Sequence, residues 1–156
     1  MIKIQQFSPE FADKTAEMIA QTLRISNSRD YTKEYLDAVI CSHSADFLCR
    51  LAETAHLYIA LDGCSVVGCG AIDGYWGSVT ESIFLTIFVH PAYQKQGIGR
   101  RIVETLEQDE FFLRARRIEI PASVTAVDFY KKMGYSCKDG VTTPDEEGLI
   151  RLEKFR

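Results

Sequence analysis

Residues 82–101 read Ser82-Ile83-Phe84-Leu85-Thr86-Ile87-Phe88-Val89-His90-Pro91-Ala92-Tyr93-Gln94-Lys95-Gln96-Gly97-Ile98-Gly99-Arg100-Arg101. The first eight residues are nearly all apolar, as a central strand covered on both faces should be. A short turn follows, and then two glycines one residue apart open a helical pattern. This arrangement builds an anion site. The first turn of a helix offers free N–H groups and the positive end of its dipole. Gly97 and Gly99 carry no side chain, so a diphosphate can approach the backbone closely. Lys95, Arg100 and Arg101 add local positive charge. The competing reading is a glycine-tolerant turn that binds nothing. A dinucleotide fold wants G-x-G-x-x-G, but Gly99 is followed three residues on by Ile102. The G-x-x-x-x-G-K-[ST] phosphate loop is absent.

Working outward, 57–61 and 64–72 read as two strands joined by the tight turn Asp62-Gly63. Upstream, Met1 to Phe7 reads as a strand. Ser8-Pro9-Glu10 starts a helix whose apolar face (Phe11, Thr15, Met18, Ile19, Leu23) runs to about Leu23. A loop is expected from Ile25 to Asp30. Further helical patterns begin near Asp30 and Ser44. Downstream, Ile98, Ile102, Leu106 and Leu113 predict one long helix over 98–116, then a short strand at 118–121. Ser123 is expected to cap another helix, closed by Gly134. Two last strands, 135–138 and 149–155, flank an acidic loop at 143–148. The chain therefore reads as a single α/β domain over 1–156.

Composition narrows the function classes. The 156 residues are 46% hydrophobic, which excludes disorder. A net charge of −4 argues against a nucleic-acid partner. No run approaches the ~18 apolar residues of a membrane span, and the N-terminus lacks a signal-peptide core. Five scattered cysteines with no C-x-x-C read as a reduced, cytoplasmic protein. Cys41, His43, Cys49 and His56 match no common zinc spacing, so no metal is expected.

Two blocks resemble the GNAT superfamily of N-acetyltransferases. One is Val89-His90-Pro91 followed by Gln94-Lys95-Gln96-Gly97-Ile98-Gly99, matching V-x-P and R/Q-x-x-G-x-G/A. The other is Ser123-Val124-Thr125-Ala126-Val127-Asp128-Phe129-Tyr130-Lys131-Lys132-Met133-Gly134-Tyr135, matching N-x-x-A-x-x-F-Y-x-x-x-G-F/Y with Ser123 in place of the usual Asn. The resemblance implies a mixed sheet of about seven strands flanked by helices, its central strands splayed, and acetyl-CoA as co-substrate. It implies that the backbone of Gln94, Lys95, Gln96, Gly97, Ile98, Gly99 and Arg100 cradles the pyrophosphate. It places an oxyanion contact near Phe88 and Val89, and a polar contact to the cofactor arm at Ser123. It also implies an acceptor amine, small-molecule or peptide, and leaves a homodimer open. A tryptophan at Gly97 or Gly99 is expected to abolish CoA binding while sparing the fold.

The chemistry needs a neutral amine. With a pKa of ~10.4, only about one lysine-like amine in 2,500 is uncharged at pH 7, a deficit of roughly 4.6 kcal/mol. A base is therefore expected, and an acid to protonate the departing thiolate. Tyr130 holds the superfamily's position for that acid, the competing reading being an aromatic packed beside Phe129. Glu81 is the candidate base, because strand alternation puts it on one face with Ile83, Leu85, Ile87 and Val89. The competing reading is a solvated charge at a strand end. His90 has a suitable pKa but sits in the turn before Pro91. The alternative to an enzyme is a non-catalytic acyl-CoA sensor on the same fold.

Overall fold

Small polar residues begin three of the six helices by accepting a backbone N–H. Thr32 accepts from Tyr35, Ser44 from Phe47 and Asp109 from Phe111. The computed structural model describes residues 1–156. Its elements are β1 (Ile2–Gln6), α1 (Ala12–Ser26), α2 (Lys33–Ser42), α3 (Ala45–Thr54), β2 (His56–Asp62), β3 (Ser65–Gly74) and β4 (Glu81–Val89). There follow α4 (Ile98–Leu106), α5 (Glu110–Arg114), β5 (Arg117–Ser123), α6 (Val127–Lys132), β6 (Ser136–Cys137) and β7 (Leu149–Phe155). The seven strands form one mixed sheet, as the superfamily resemblance implies, and their order is β1-β2-β3-β4-β5-β7-β6. One face packs on α1, α2 and α3 through Ile19, Leu36, Leu48 and Ile59. The other packs on α4 and α6 through Ile102, Leu106, Val127 and Tyr130.

Two expectations need correction. The helix over 98–116 is broken: α4 ends at Leu106, and α5 restarts at Glu110. Asp109 explains the break. Its buried carboxylate accepts from His56 Nδ1 (2.8 Å), from the Tyr58 hydroxyl (2.6 Å) and from the N–H of Phe111 (2.9 Å). Burial, with this carboxylate beside it, pushes the Tyr58 phenol up to about 12. A side chain captured from β2 thus outweighs the local helical spacing. Asp109→Ala is expected to lower stability by about 2–4 kcal/mol, because two donors lose their acceptor and α5 loses its cap. Urea-denaturation midpoints at constant m would check it. The second correction is at 25–26, where α1 continues to Ser26 rather than yielding to a loop at Ile25. Its last turn carries the exposed Arg24 and Ile25 and the half-buried Ser26, which accepts from Gln94.

The central strand is kinked. Ala71 pairs with Leu85 and Cys69 with Phe88, so Gly70 alone opposes Thr86 and Ile87. This is a β-bulge, with Thr86 at φ 56°, a left-handed conformation costly for a β-branched residue. The buried Cys69 thiol donates to the Thr86 carbonyl at 3.1 Å. Past the bulge the side-chain alternation is inverted. Leu85 and Phe88 pack toward the α1–α3 face, Ile87 and Val89 toward α4. The expected single face of Glu81, Ile83, Leu85, Ile87 and Val89 therefore ends at Leu85.

β4 and β5 pair in parallel only from Glu81↔Arg117 to Ile83↔Glu119. Beyond Ile83 they diverge, while β5 stays paired with β7 to its end. Pro121 contributes no N–H to the ladder just where β4 has parted. The central sheet thus opens into a V at the end that carries the glycine turn.

Candidate active site

A bowl of unpaired amides closes one arm of the V. Pro91–Tyr93 forms a single 3₁₀ turn, and His90 Nδ1 accepts from the N–H of Ala92 (3.1 Å). Because Nδ1 accepts, Nε2 carries the proton and donates to Gln21 (3.0 Å). His90 is therefore a structural cap. Gln94 bridges the Ser26 hydroxyl (2.8 Å) and the Val89 carbonyl (3.0 Å). Lys95 then takes φ 62° and Gly97 φ 80°, and α4 begins. The N–H groups of residues 95–100 donate to no carbonyl or side chain of the protein. They sit at the positive end of a nine-residue helix. The cleft of about 610 Å³ in front of them is lined by the cations Lys95, Arg100 and Lys132 and by no carboxylate. In a chain of net charge −4, that local excess defines an anion site.

The two glycines differ in role. Gly97 holds a left-handed conformation in open space. A Cβ on Gly99 would lie 3.2 Å from the Phe129 ring, so Gly99 lets α4 approach α6. Tryptophan at Gly99 would disturb that packing, contrary to expectation. Phe88, Val89, Gln94, Lys95, Gly97, Gly99, Arg100, Ser123 and Tyr130 all line the cleft. Ile98 is buried in the core and offers only its N–H, and Gln96 turns back to the Ala92 carbonyl (3.4 Å). His90 N–H donates to Val67, so alternation turns the N–H of Phe88 toward β3 and that of Val89 toward the gap.

A second cavity, of about 650 Å³, lies between β4, β5 and the helices α1–α3. Tyr31, Tyr35, Phe47 and Trp76 give it aromatic walls. Its polar lining includes His43, Glu147 and Arg151, the last two joined at 3.2 Å. The acidic loop folds over it. The Tyr35 hydroxyl donates to the Glu147 carbonyl and that of Tyr31 to Gly148, both at 2.5 Å. Tyr31 also accepts from the N–H of Val124 (2.8 Å). Ser123, expected to cap this helix, makes no side-chain cap bond.

The two cavities share Asn27, Ile87, Phe88, Ser123, Ala126 and Tyr130. Tyr130 is only 4% exposed, and its hydroxyl makes no hydrogen bond to the protein. Burial pushes its phenol well above the ordinary value, so it stays protonated at neutral pH. Glu81 is not among these residues. It stands where β4 is still paired, and its carboxylate accepts from Arg117 at 3.1 Å. The structure brings Tyr130 to the junction and leaves Glu81 outside it. Asn27, Thr22 and Lys132 join the clefts without a sequence signal, because only the tertiary fold brings α1 and α6 to the walls of one cleft.

With this geometry in hand, the chain belongs to the GNAT family of acetyltransferases: the acetyltransferase (GNAT) domain model matches residues 53–137, over half of its length. No curated protein matches it in sequence. Solved structures share the whole fold. The PaiA N-acetyltransferase from Thermoplasma acidophilum, in complex with coenzyme A, is 17% identical, with 100% of this chain and 99% of that one covered at a TM-score of 0.84. A GCN5-related N-acetyltransferase from Rhodopseudomonas palustris is 22% identical, covered at 99% and 95%, with a TM-score of 0.81. An aminoglycoside 6'-N-acetyltransferase complexed with coenzyme A is 18% identical, covered at 98% and 96%, with a TM-score of 0.71.

Proposed function

We propose that the chain is an acetyl-CoA-dependent N-acetyltransferase, one domain over residues 1–156, that passes acetyl to a primary amine by direct attack with both substrates bound. The observation that carries this reading is the junction: an anion cleft and an aromatic-walled cavity meet at the buried Tyr130. Two solved relatives of the same fold hold coenzyme A.

The free N–H groups at 95–100 fit a diphosphate, with Lys95, Arg100 and Lys132 balancing its charge. The unpaired edge of β4 beyond Ile83 supplies backbone partners for the amide-bearing pantetheine arm. Ser123 lies along the same groove. Acetyl-CoA, when bound, supplies an activated carbonyl and a thiolate leaving group. The Val89 N–H faces the gap and is placed to polarise that carbonyl. Tyr130, kept neutral by burial, donates its proton to the departing sulfur. The aromatic walls suit an amine carrying apolar or aromatic bulk.

Calorimetry on the purified chain tests the first half. CoA is expected to bind, and S-acetylpantetheine, which lacks the diphosphate, to bind about 100-fold more weakly. Equal affinities would remove the anion bowl from the reading. Thiol release from acetyl-CoA with a panel of amines tests the second half. Tight CoA binding without turnover on any amine would favour the non-catalytic sensor.

A further inference from the structure

The site as described has an acid, but Glu81, tied to Arg117 at the closed end of the V, cannot serve it as base. The acceptor cavity contains another titratable group. His43 follows α2 directly, and its ring lies against Phe88, edge-on at 5.7 Å between centroids. Phe88 is one of the side chains shared by the two cavities. The ring also meets Phe47, edge-on at 5.2 Å.

The hydrogen bonds of His43 fix its tautomer. Nδ1 lies 2.8 Å from the Val39 carbonyl, which can only accept, so Nδ1 carries the proton. The Ser42 hydroxyl lies 3.1 Å from the same nitrogen. Nε2 is left with its lone pair and no protein partner. Burial lowers the affinity of the ring for a second proton, opposed only by the Val39 bond, so the imidazole is neutral at pH 7. No ion pair engages it. The charged and titratable groups of the same cavity are the mutually paired Glu147 and Arg151 and the three tyrosines Tyr31, Tyr35 and Tyr130.

Resting on the acetyltransferase reading, we infer that His43 is the general base, accepting at Nε2 the proton that the acceptor amine must lose, directly or through one water. The nitrogen lone pair then forms the C–N bond as the C–S bond breaks, and the electron pair of that bond leaves on sulfur with the proton from Tyr130. The newly acylated nitrogen gives up its remaining extra proton, which returns to the Tyr130 phenolate, and the imidazolium gives its proton to solvent, so both groups return to their starting states and the product is a neutral amide. The role makes no demand on Glu81 or His90.

His43→Asn separates the role from a structural one, because the Asn amide can still donate to Val39 while Nε2 is gone. Two probes are used with acetyl-CoA at pH 7: phenethylamine, which is protonated, and aniline, which is neutral. The variant is expected to lose about 100-fold in kcat with phenethylamine, less than threefold with aniline, and nothing in CoA affinity by calorimetry. Added imidazole should restore part of the lost rate. Independently of turnover, ¹⁵N NMR of the unliganded protein should show His43 as the Nδ1–H tautomer, titrating below the ordinary histidine value. Equal losses with both amines would assign His43 to structure, and unchanged rates with both, or an Nε2–H tautomer, would also overturn the inference. If the parent chain binds CoA yet acetylates neither of these amines nor any other of the panel, the transferase reading falls and this inference with it. Turnover by the parent together with an indifferent variant would sink the inference alone.

Discussion

Tyr130→Phe is expected to lower kcat by about 1,000-fold while leaving the affinity for CoA within a factor of two. The size follows from what the hydroxyl does. A positioned general acid contributes 10²–10⁴. The small effect on binding follows from burial. The ring packs edge-on against Phe129 at 5.1 Å and near Tyr135, and phenylalanine preserves those contacts. Because the hydroxyl makes no hydrogen bond to the protein, its removal strands no donor. Stopped-flow thiol release and CoA calorimetry on the same preparations would check both halves. A variant with parental kcat would remove Tyr130 from the chemistry, and one that loses CoA binding would make it part of the binding wall.

The second large effect concerns stability. Glu119 is 1% exposed on β5 and accepts from Arg117, from Lys138 at 2.9 Å and from Arg151 at 3.5 Å. Arg117 in turn reaches Glu153 at 2.8 Å and Glu81 at 3.1 Å. Glu119→Ala deletes the centre of this network and leaves cations without their buried partner. The expected cost is about 3–5 kcal/mol. At roughly 2–4 °C per kcal/mol for a chain of this size, the midpoint of thermal unfolding should fall by about 10 °C. The pH dependence has a definite sign. Burial raises the Glu119 carboxyl, but Lys138 and Arg117 outweigh it and hold it below the ordinary 4.5. A carboxyl depressed in the folded state contributes stability above its unfolded value and loses it as pH falls through the folded one. The parent should therefore lose stability as pH drops below about 4.5, and the variant should lose less over the same interval. Parallel melting curves from pH 7 to pH 3 would show it, and equal slopes would remove Glu119 from the acid response.

What could be read from the chain beforehand was what local chemistry encodes. The glycine turn after an apolar strand, the Asp62-Gly63 hairpin and the helix start near Ser44 all act within a few residues of themselves, whereas the pattern expected from Asp30 becomes a helix only at Lys33, after the Thr32 cap. The failures share a cause. Asp109 breaks a well-spaced helix because His56 and Tyr58, more than fifty residues earlier, seize its carboxylate. The bulge at Thr86 leaves no trace in an apolar run, since an inserted residue changes pairing and not composition. It also undid the parity on which Glu81 was placed with Ile87 and Val89. His43 was weighed as a zinc ligand from its neighbours in sequence, whereas its surroundings in space are Val39, Phe47 and Phe88.

The walls of the two cavities come from separate stretches of chain. The anion bowl belongs to the turn before α4, while the aromatic chamber is built from α2, α3 and the loop leading into β7; the shared frontier is a handful of side chains. Evolution can therefore rewrite the clientele of such an enzyme without touching its fuel supply. On the function proposed above, substitutions at Tyr35, Phe47 or Trp76 are expected to redirect which molecule is modified, and the nucleotide grip, standing on other ground, to be inherited unchanged.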